Sequence, residues 1–215
     1  MEEEKTLTAQ AAHYVDDLLK AKLPHKFVYH NRNHTQQVVE ACQEVGEANS
    51  LDETDLENLM LAAWFHDVGY VKDYDNHEAE SVNVFRDFLP DKELPEKRQA
   101  EIERLILSTK PDHQPQDQLE EILKDADKIH IGKKSFSRVS ELLRTEWELI
   151  QDQYYSEYEW QQRQLDFLIN HDFYNHYTQK EYGPTREKNL KDQREQVTKA
   201  LEKSTKQKTG KNFGR

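Results

Sequence analysis

The sequence predicts an all-α chain. Apolar residues recur every three to four positions along nearly its whole length, and no stretch shows the strict alternation of a half-buried strand. Six glycines and six prolines in 215 residues are few, as expected of helices joined by short loops. The chain is long enough for one sizeable domain with a full core.

The elements follow in order. Residues 7–22 read as a first helix with Ala11, Val15, Leu18 and Leu19 inward, ended by Pro24. Residues 34–48 read as a second, with Val38, Cys42 and Val45 on one face and His34 leading that face by one turn. The run Ser50-Leu51-Asp52-Glu53 opens a third, where Leu56, Leu59, Met60 and Ala63 lead into LMLAAWFHDVGY. Residues 77–89 carry Val82, Phe85, Phe88 and Leu89, and Pro90 and Pro95 bracket a turn. Residues 96–108 carry Ile102, Leu105 and Ile106, and the two prolines of KPDHQPQD mark a loop. A further helix turns Leu119, Ile122, Leu123, Ala126 and Ile129 inward and stops at Gly132. Asp127 falls beside that stripe, and Asp125 on the more polar side.

The remainder differs in character. Residues 134–153 predict a helix with Phe136, Val139, Leu142, Leu143 and Trp147 inward. Ser156-Glu157-Tyr158-Glu159 fits a capping box and opens another, carrying Trp160, Leu165, Phe167 and Leu168. Pro184 is placed to start a last helix with a thin apolar stripe. The basic, Gly-containing tail STKQKTGKNFGR is expected to be disordered. The expected division is a core at residues 1–133, a helical extension packed on it at 134–203, and the tail at 204–215.

The chemistry concentrates on His66-Asp67. An imidazole and a carboxylate following an apolar run are costly to bury unless something binds them, and a divalent metal ion is the usual solution. A histidine satisfied at a helix end, with Gly69 as its C-cap, is the plain alternative for an isolated pair. Here His34 and Asp127 also lie on inward helical faces, so three faces each bring a ligand-type group.

Four segments in this order, YHNRNH, AAWFHDVGY, HEAES and DADK, resemble the HD superfamily of metal-dependent phosphohydrolases over roughly residues 25–135. The resemblance implies an HD-domain helical bundle, here with a C-terminal helical extension. It implies His34, His66, Asp67 and Asp127 as metal ligands. YHNxxH is also similar to the cyclic-nucleotide phosphodiesterase signature, which makes His34 a ligand and His30 the general acid; after His66-Asp67 the chain departs from that signature with Val68-Gly69-Tyr70. His77 and His113 stand where two-metal members hold a second ion. Lys128, Lys110 and Arg32 are candidates to meet a phosphate.

The activity so implied is hydrolysis of a phosphate ester of a nucleotide or related small molecule, as a phosphomonoesterase or a phosphodiesterase. Hydroxide generated from a metal-held water attacks, with Asp67 at the centre and His30 protonating the leaving oxygen. The donors are nitrogen and oxygen without thiolate, so Mn, Fe, Mg and Zn all fit, as one ion or two. An HD-fold regulatory module without turnover and an HD-fold di-iron oxygenase stay open as alternatives.

The formal net charge of −12 disfavours general binding of polymeric nucleic acid. The single cysteine, Cys42, has no partner within the chain for a disulfide and lies on an apolar face, as packing. The acidic, polar opening MEEEKTLTAQ does not read as a signal peptide, and no apolar run reaches a membrane span. A cytoplasmic protein with no membrane partner is expected.

Overall fold

The computed structural model describes residues 6–90 and 92–211. Among them are nine α-helices and no strand, so the fold is all-α. They divide into two compact units, one within Met1–Ile129 plus Tyr174–Thr178 and one within His130–Phe173 plus Gln179–Arg215.

The first unit holds six helices. In α1 (Leu7–Lys22) the Thr6 side chain accepts from the Ala9 N–H, and Ala11, Val15 and Leu19 are buried at four-residue spacing. In α2 (Arg32–Ala48) Asn31 caps the first turn, and Val38, Cys42 and Val45 line one buried face with His34. α3 (Glu53–Phe65) starts at Asp52, which accepts from the Asp55 N–H. Leu59, Leu61, Ala62, Ala63 and Phe65 are all fully buried, so its second half is apolar all round, as a central helix must be. It packs against α1 and α2, and against α4 (His77–Phe88), α5 (Glu96–Ser108) and α6 (Gln118–Asp127). The chain leaves α3 through a 3-10 turn at Val68–Val71 that packs on α4.

The short return at Tyr174–Thr178 joins this unit through Asp125. Its carboxylate accepts the Tyr174 and Asn175 N–H groups, each at 2.9 Å. Asn175 meets Asn49 at the end of α2, and the Tyr177 hydroxyl reaches Glu44 at 3.1 Å. Asp125 is therefore 2% exposed, not on a polar face as the helical pattern suggested. Its partners come from 49 and 50 residues away, which a local pattern does not register.

The second unit is built from α7 (Phe136–Gln151), α8 (Glu157–Asn170) and most of α9 (His176–Lys211). Ile131, Phe136, Leu168 and Phe173 form its core. The capping box at Ser156 and Glu159 is present. Buried Trp160 donates its indole N–H to the Ser140 hydroxyl at 3.2 Å. Of the residues expected inward on α7, Phe136 is buried, but Leu142 is 37% exposed.

α9 departs from expectation at both ends. It begins at His176 and carries Pro184 inside it. Lys180, whose carbonyl loses its intrahelical donor there, and Pro184 are both exposed, so the proline stands on a solvent-facing part of the helix, where a missing bond costs least. The helix runs to Lys211, into the segment expected to be disordered; residues 212–215 lie outside the described residues. Arg186 in α9 is buried and gives the C-terminal carbonyls of α8 their partners: its guanidinium donates to the Leu168 and His171 oxygens at 2.7–2.9 Å. None of the described helices is long and apolar enough to cross a membrane.

Candidate metal centre

Three helices of the first unit bring four ligand-type side chains to one point. His34 comes from the first turn of α2. His66 and Asp67 come from the chain's exit from α3, and Asp127 is the last residue of α6. One donor atom from each lies within 4.8 Å of every other. His34 Nε2 is 3.3 Å from Asp67 Oδ2 and 3.2 Å from Asp127 Oδ1. His66 Nε2 is 3.2 Å from Asp67 Oδ2 and 3.7 Å from Asp127 Oδ1, and the two Nε2 atoms are 3.4 Å apart.

Three details test whether this set fits a cation. His66 Nδ1 lies 2.8 Å from the Ala63 carbonyl, which accepts only if Nδ1 carries the proton. That tautomer leaves the Nε2 lone pair aimed at the cluster, as in metal-ligating histidines. Asp67 Oδ2 is buried with no hydrogen-bond partner, a cost that native proteins rarely accept without a ligand. The Asp127 side chain is 24% exposed, so the buried set opens to solvent on one side, as a site that must admit water requires. The residues fit a divalent ion with mixed nitrogen and oxygen ligands.

The electrostatics agree. Burial alone would pull the His34 and His66 pKa values down. The carboxylates of Asp67 and Asp127 outweigh it and raise both, His66 well above the ordinary range. Burial likewise pushes Asp67 and Asp127 up, but the two imidazoles hold both well below the usual carboxylate range. Without a metal, protons on the imidazoles balance the carboxylates; a cation takes over that role on binding.

Residues 31–132 match the family model of the HD domain, and the buried His/Asp cluster fits the HD metal site. The chain carries an HD domain. HD domains form a superfamily of metal-dependent hydrolases. No curated protein and no solved structure gives a match.

The turn that carries the HD pair is held from α4. The Ser81 hydroxyl accepts from the Gly69 N–H and donates to the His66 carbonyl, each at 2.8 Å. Gly69 is not a left-handed cap, since no described glycine has positive φ. It is a point of close approach: a Cβ there would stand 1.9 Å from the His77 carbonyl oxygen and 2.6 Å from the Ser81 nitrogen. The HD exit and the start of α4 therefore touch backbone to backbone, which brings His77 to the metal cluster.

His77 Nε2 lies 3.8 Å from Asp67 Oδ1 and 3.5 Å from Glu78 Oε1, while its Nδ1 faces the Tyr74 carbonyl at 3.1 Å. His77 also stacks on Tyr70, with ring centroids 3.9 Å apart and 14° between the planes. His30 sits against the same group of rings, 4.8 Å from Tyr70 and 5.6 Å from His34 between centroids.

His113 goes elsewhere. Its Nε2 is 2.7 Å from Glu120 Oε2, and Glu120 also accepts the Gln116 N–H and pairs with Arg104. Lys124, one turn on, is buried and donates to the Ser108 and Lys110 carbonyls at 3.0 and 2.8 Å. Glu120 and Lys124 thus staple the loop between α5 and α6 to α6, and His113 is part of that staple. Burial, with help from the Lys128 charge, pulls the Lys124 ammonium down to about 8. Lys110 itself is exposed, and Lys128 is half-buried at the end of α6. Arg32 is paired with Asp16 of α1, which also receives Lys20 at 2.7 Å.

Cys42 is buried, and burial pushes its thiol pKa upward, with Asp127 adding to the shift. It is a packing residue of the buried face of α2. Ser81, Lys124 and Asp125 were not legible as site-supporting residues. The one signal available for Ser81 was a small polar residue beside the buried Val82 and Phe85 stripe of α4.

Proposed function

We propose that this protein is a metal-dependent phosphohydrolase that cleaves a phosphate ester of a nucleotide or a related small molecule. The observation that supports it most is the buried convergence of His34, His66, Asp67 and Asp127, with Asp67 Oδ2 making no hydrogen bond and near only the two imidazole nitrogens, and the His66 lone pair turned inward. Those four residues would hold one Mn, Fe, Mg or Zn ion. When bound, the ion supplies Lewis acidity, polarising a phosphoryl oxygen and acidifying a water.

The chain's own groups carry the rest. Asp67 and Asp127 set the charge of the site. His66, locked by Ala63, keeps its lone pair inward. His30, beside His34 and Tyr70, is the proton donor to the leaving oxygen, which departs poorly as an alkoxide. His77, with Nδ1 turned to Tyr74 and Nε2 toward Asp67, is placed to help hold a second ion. Lys128 is the favoured phosphate contact, because it follows Asp127 directly. Arg32, bound to Asp16, and Lys110, exposed beyond the staple, are weaker candidates. The substrate is a small molecule, since a chain of net charge −12 repels polyanions on average. The expected setting is the cytoplasm.

The test is a screen of phosphate esters with Mn, Fe, Mg and Zn, using His66→Ala as the control. Wild-type protein should hydrolyse at least one ester, and His66→Ala should lose that activity together with the metal. A folded wild-type protein without affinity for any of the four ions would overturn the reading. His30→Ala should lower turnover far more than metal affinity; loss of the ion instead would make His30 a ligand.

A further inference from the structure

Glu78 has no part in the chemistry above, yet it is a buried carboxylate beside the metal cluster. We infer that Glu78 is a specificity residue whose charge biases the site against doubly charged phosphate monoesters and toward singly charged diesters. The inference rests on the hydrolase reading of that site and narrows its substrate class.

Glu78 is the second residue of α4 and is only 5% exposed. Carboxylates are rarely buried to that extent unless paired and hydrogen-bonded. Among the described residues Glu78 makes no hydrogen bond, and its ionic neighbour is His77, whose Nε2 lies 3.5 Å from Oε1. The helix start does not need it. An acid in the first turn complements the dipole of a helix, but Glu80, in the same turn, does so from a more open position, where it meets Lys72 at 3.5 Å. What burial adds is reach, because water and salt screen an open charge far more than a buried one.

The distances place that reach at the site. His77 Nε2 is 3.5 Å from Glu78 Oε1 and 3.8 Å from Asp67 Oδ1. The two carboxylate oxygens are therefore at most about 7 Å apart, a range over which unit charges interact strongly away from bulk water. A phosphate on an ion held by Asp67 stands in the field of Glu78. Near pH 8 a monoester carries about two negative charges, and a diester carries one. At about 8 Å and an effective dielectric of about 20–40, each unit of ligand charge is disfavoured about 5- to 30-fold. The monoester meets that penalty twice and the diester once, so Glu78 sets the two classes apart by the same factor. Lys128 favours the more highly charged ligand, and Glu78 opposes it.

The experiment compares Glu78→Gln with the wild type in the full chain, and Glu80→Gln is the control that removes a charge from the same helical turn. Zinc alone is titrated by calorimetry. Methyl phosphate and dimethyl phosphate, which differ by one methyl group and one charge, are titrated into the zinc-saturated proteins near pH 8 and followed by phosphorus NMR. Turnover is followed with p-nitrophenyl phosphate and bis(p-nitrophenyl) phosphate. Glu78→Gln should shift the affinity ratio toward methyl phosphate by about 5- to 30-fold, and the kcat/KM ratio of the chromogenic pair in the same direction. Zinc affinity should fall about 10-fold or more, because the same charge attracts the ion, with the number of ions bound unchanged. In Glu80→Gln both quantities should stay within about threefold, since its more open charge is screened.

An unchanged affinity ratio or an unchanged zinc affinity in Glu78→Gln would overturn the inference, as would an equal shift in Glu80→Gln. So would the loss of an ion from the stoichiometry, which would make Glu78 a ligand, or a zinc-saturated wild type without affinity for either phosphate. Should Glu78→Gln not fold, Glu78→Met, similar in length and uncharged, serves in its place under the same criteria. If the wild type hydrolyses neither chromogenic ester, the hydrolase reading loses its support, and the two phosphate affinities still decide for or against Glu78.

Discussion

Gly69→Ala should be among the most damaging single-methyl additions this protein can suffer. The new Cβ would stand 1.9 Å from the His77 carbonyl oxygen, 2.6 Å from the Ser81 nitrogen and 2.8 Å from the His77 carbonyl carbon. Ordinary contact begins near 3.4 Å, so the start of α4 must retreat by about 1.5 Å, a distance close-packed interiors do not absorb. The atoms in the way are backbone, and no rotamer change relieves them. Overpacking where side chains can yield costs about 1–3 kcal/mol. Retreat of α4 also stretches the two Ser81 hydrogen bonds to Gly69 and His66, worth about 1 kcal/mol each. The sum is about 3–5 kcal/mol, a large share of the 5–15 kcal/mol typical of a folded domain. Equilibrium urea unfolding of the metal-free protein measures it, with Gly46→Ala as the comparison. At Gly46 the added Cβ meets the ends of Leu56 and Leu51 at 2.7 and 3.2 Å, flexible tips that can turn aside, so the loss there should stay near 1 kcal/mol or below. A Gly69→Ala loss under about 1 kcal/mol, or one no larger than that of Gly46→Ala, would refute the claim that the HD turn and α4 are locked backbone to backbone.

Three further outcomes are expected. Ser81→Ala leaves the Gly69 N–H and the His66 carbonyl buried without their partner; it should cost about 2–3 kcal/mol in urea unfolding and weaken metal affinity, and an unchanged midpoint would show that the hydroxyl is dispensable. Metal affinity should rise with pH, because His34 and His66 have pKa values raised above the ordinary 6.5 and each must give up its proton to become a ligand. Calorimetry in buffers of different ionisation enthalpy should then detect protons released on binding at neutral pH, and no release would contradict the imidazolium assignment. Asp125→Ala should destabilise the fold by about 2–4 kcal/mol by stranding the Tyr174 and Asn175 N–H groups; a neutral result in thermal unfolding would mean that the return segment is held by its other contacts.

Much of the first unit was written locally. Thr6, Asn31, Asp52 and Asp117 each accept from a backbone N–H one turn in, so four helix starts are set within three residues of themselves. The inward faces of α2, α3 and α6 followed from spacing, which turned His34, His66-Asp67 and Asp127 inward; that the four form one site was implied by the resemblance to the HD superfamily. A ligand on the apolar stripe of a helix must face the core, and a core brings such stripes together.

What the tertiary structure decided were matters of long-range partnership. His113 and Asp125 show it best. His113 had the residue type and chain position of a ligand, but Glu120 and Lys124 staple its loop to α6 and the imidazole goes to Glu120. Asp125 had the pattern of a solvated residue, but backbone donors from Tyr174 and Asn175 made burial the better state. Arg32 was drawn from the site by Asp16 on another helix, and Pro184 stayed inside α9 because its exposed side tolerates a missing bond. Caps and stripes act over one to four residues and are visible in a string of letters. Hydrogen-bond partners tens of residues away, and the backbone contact that only Gly69 permits, exist only once the helices have packed.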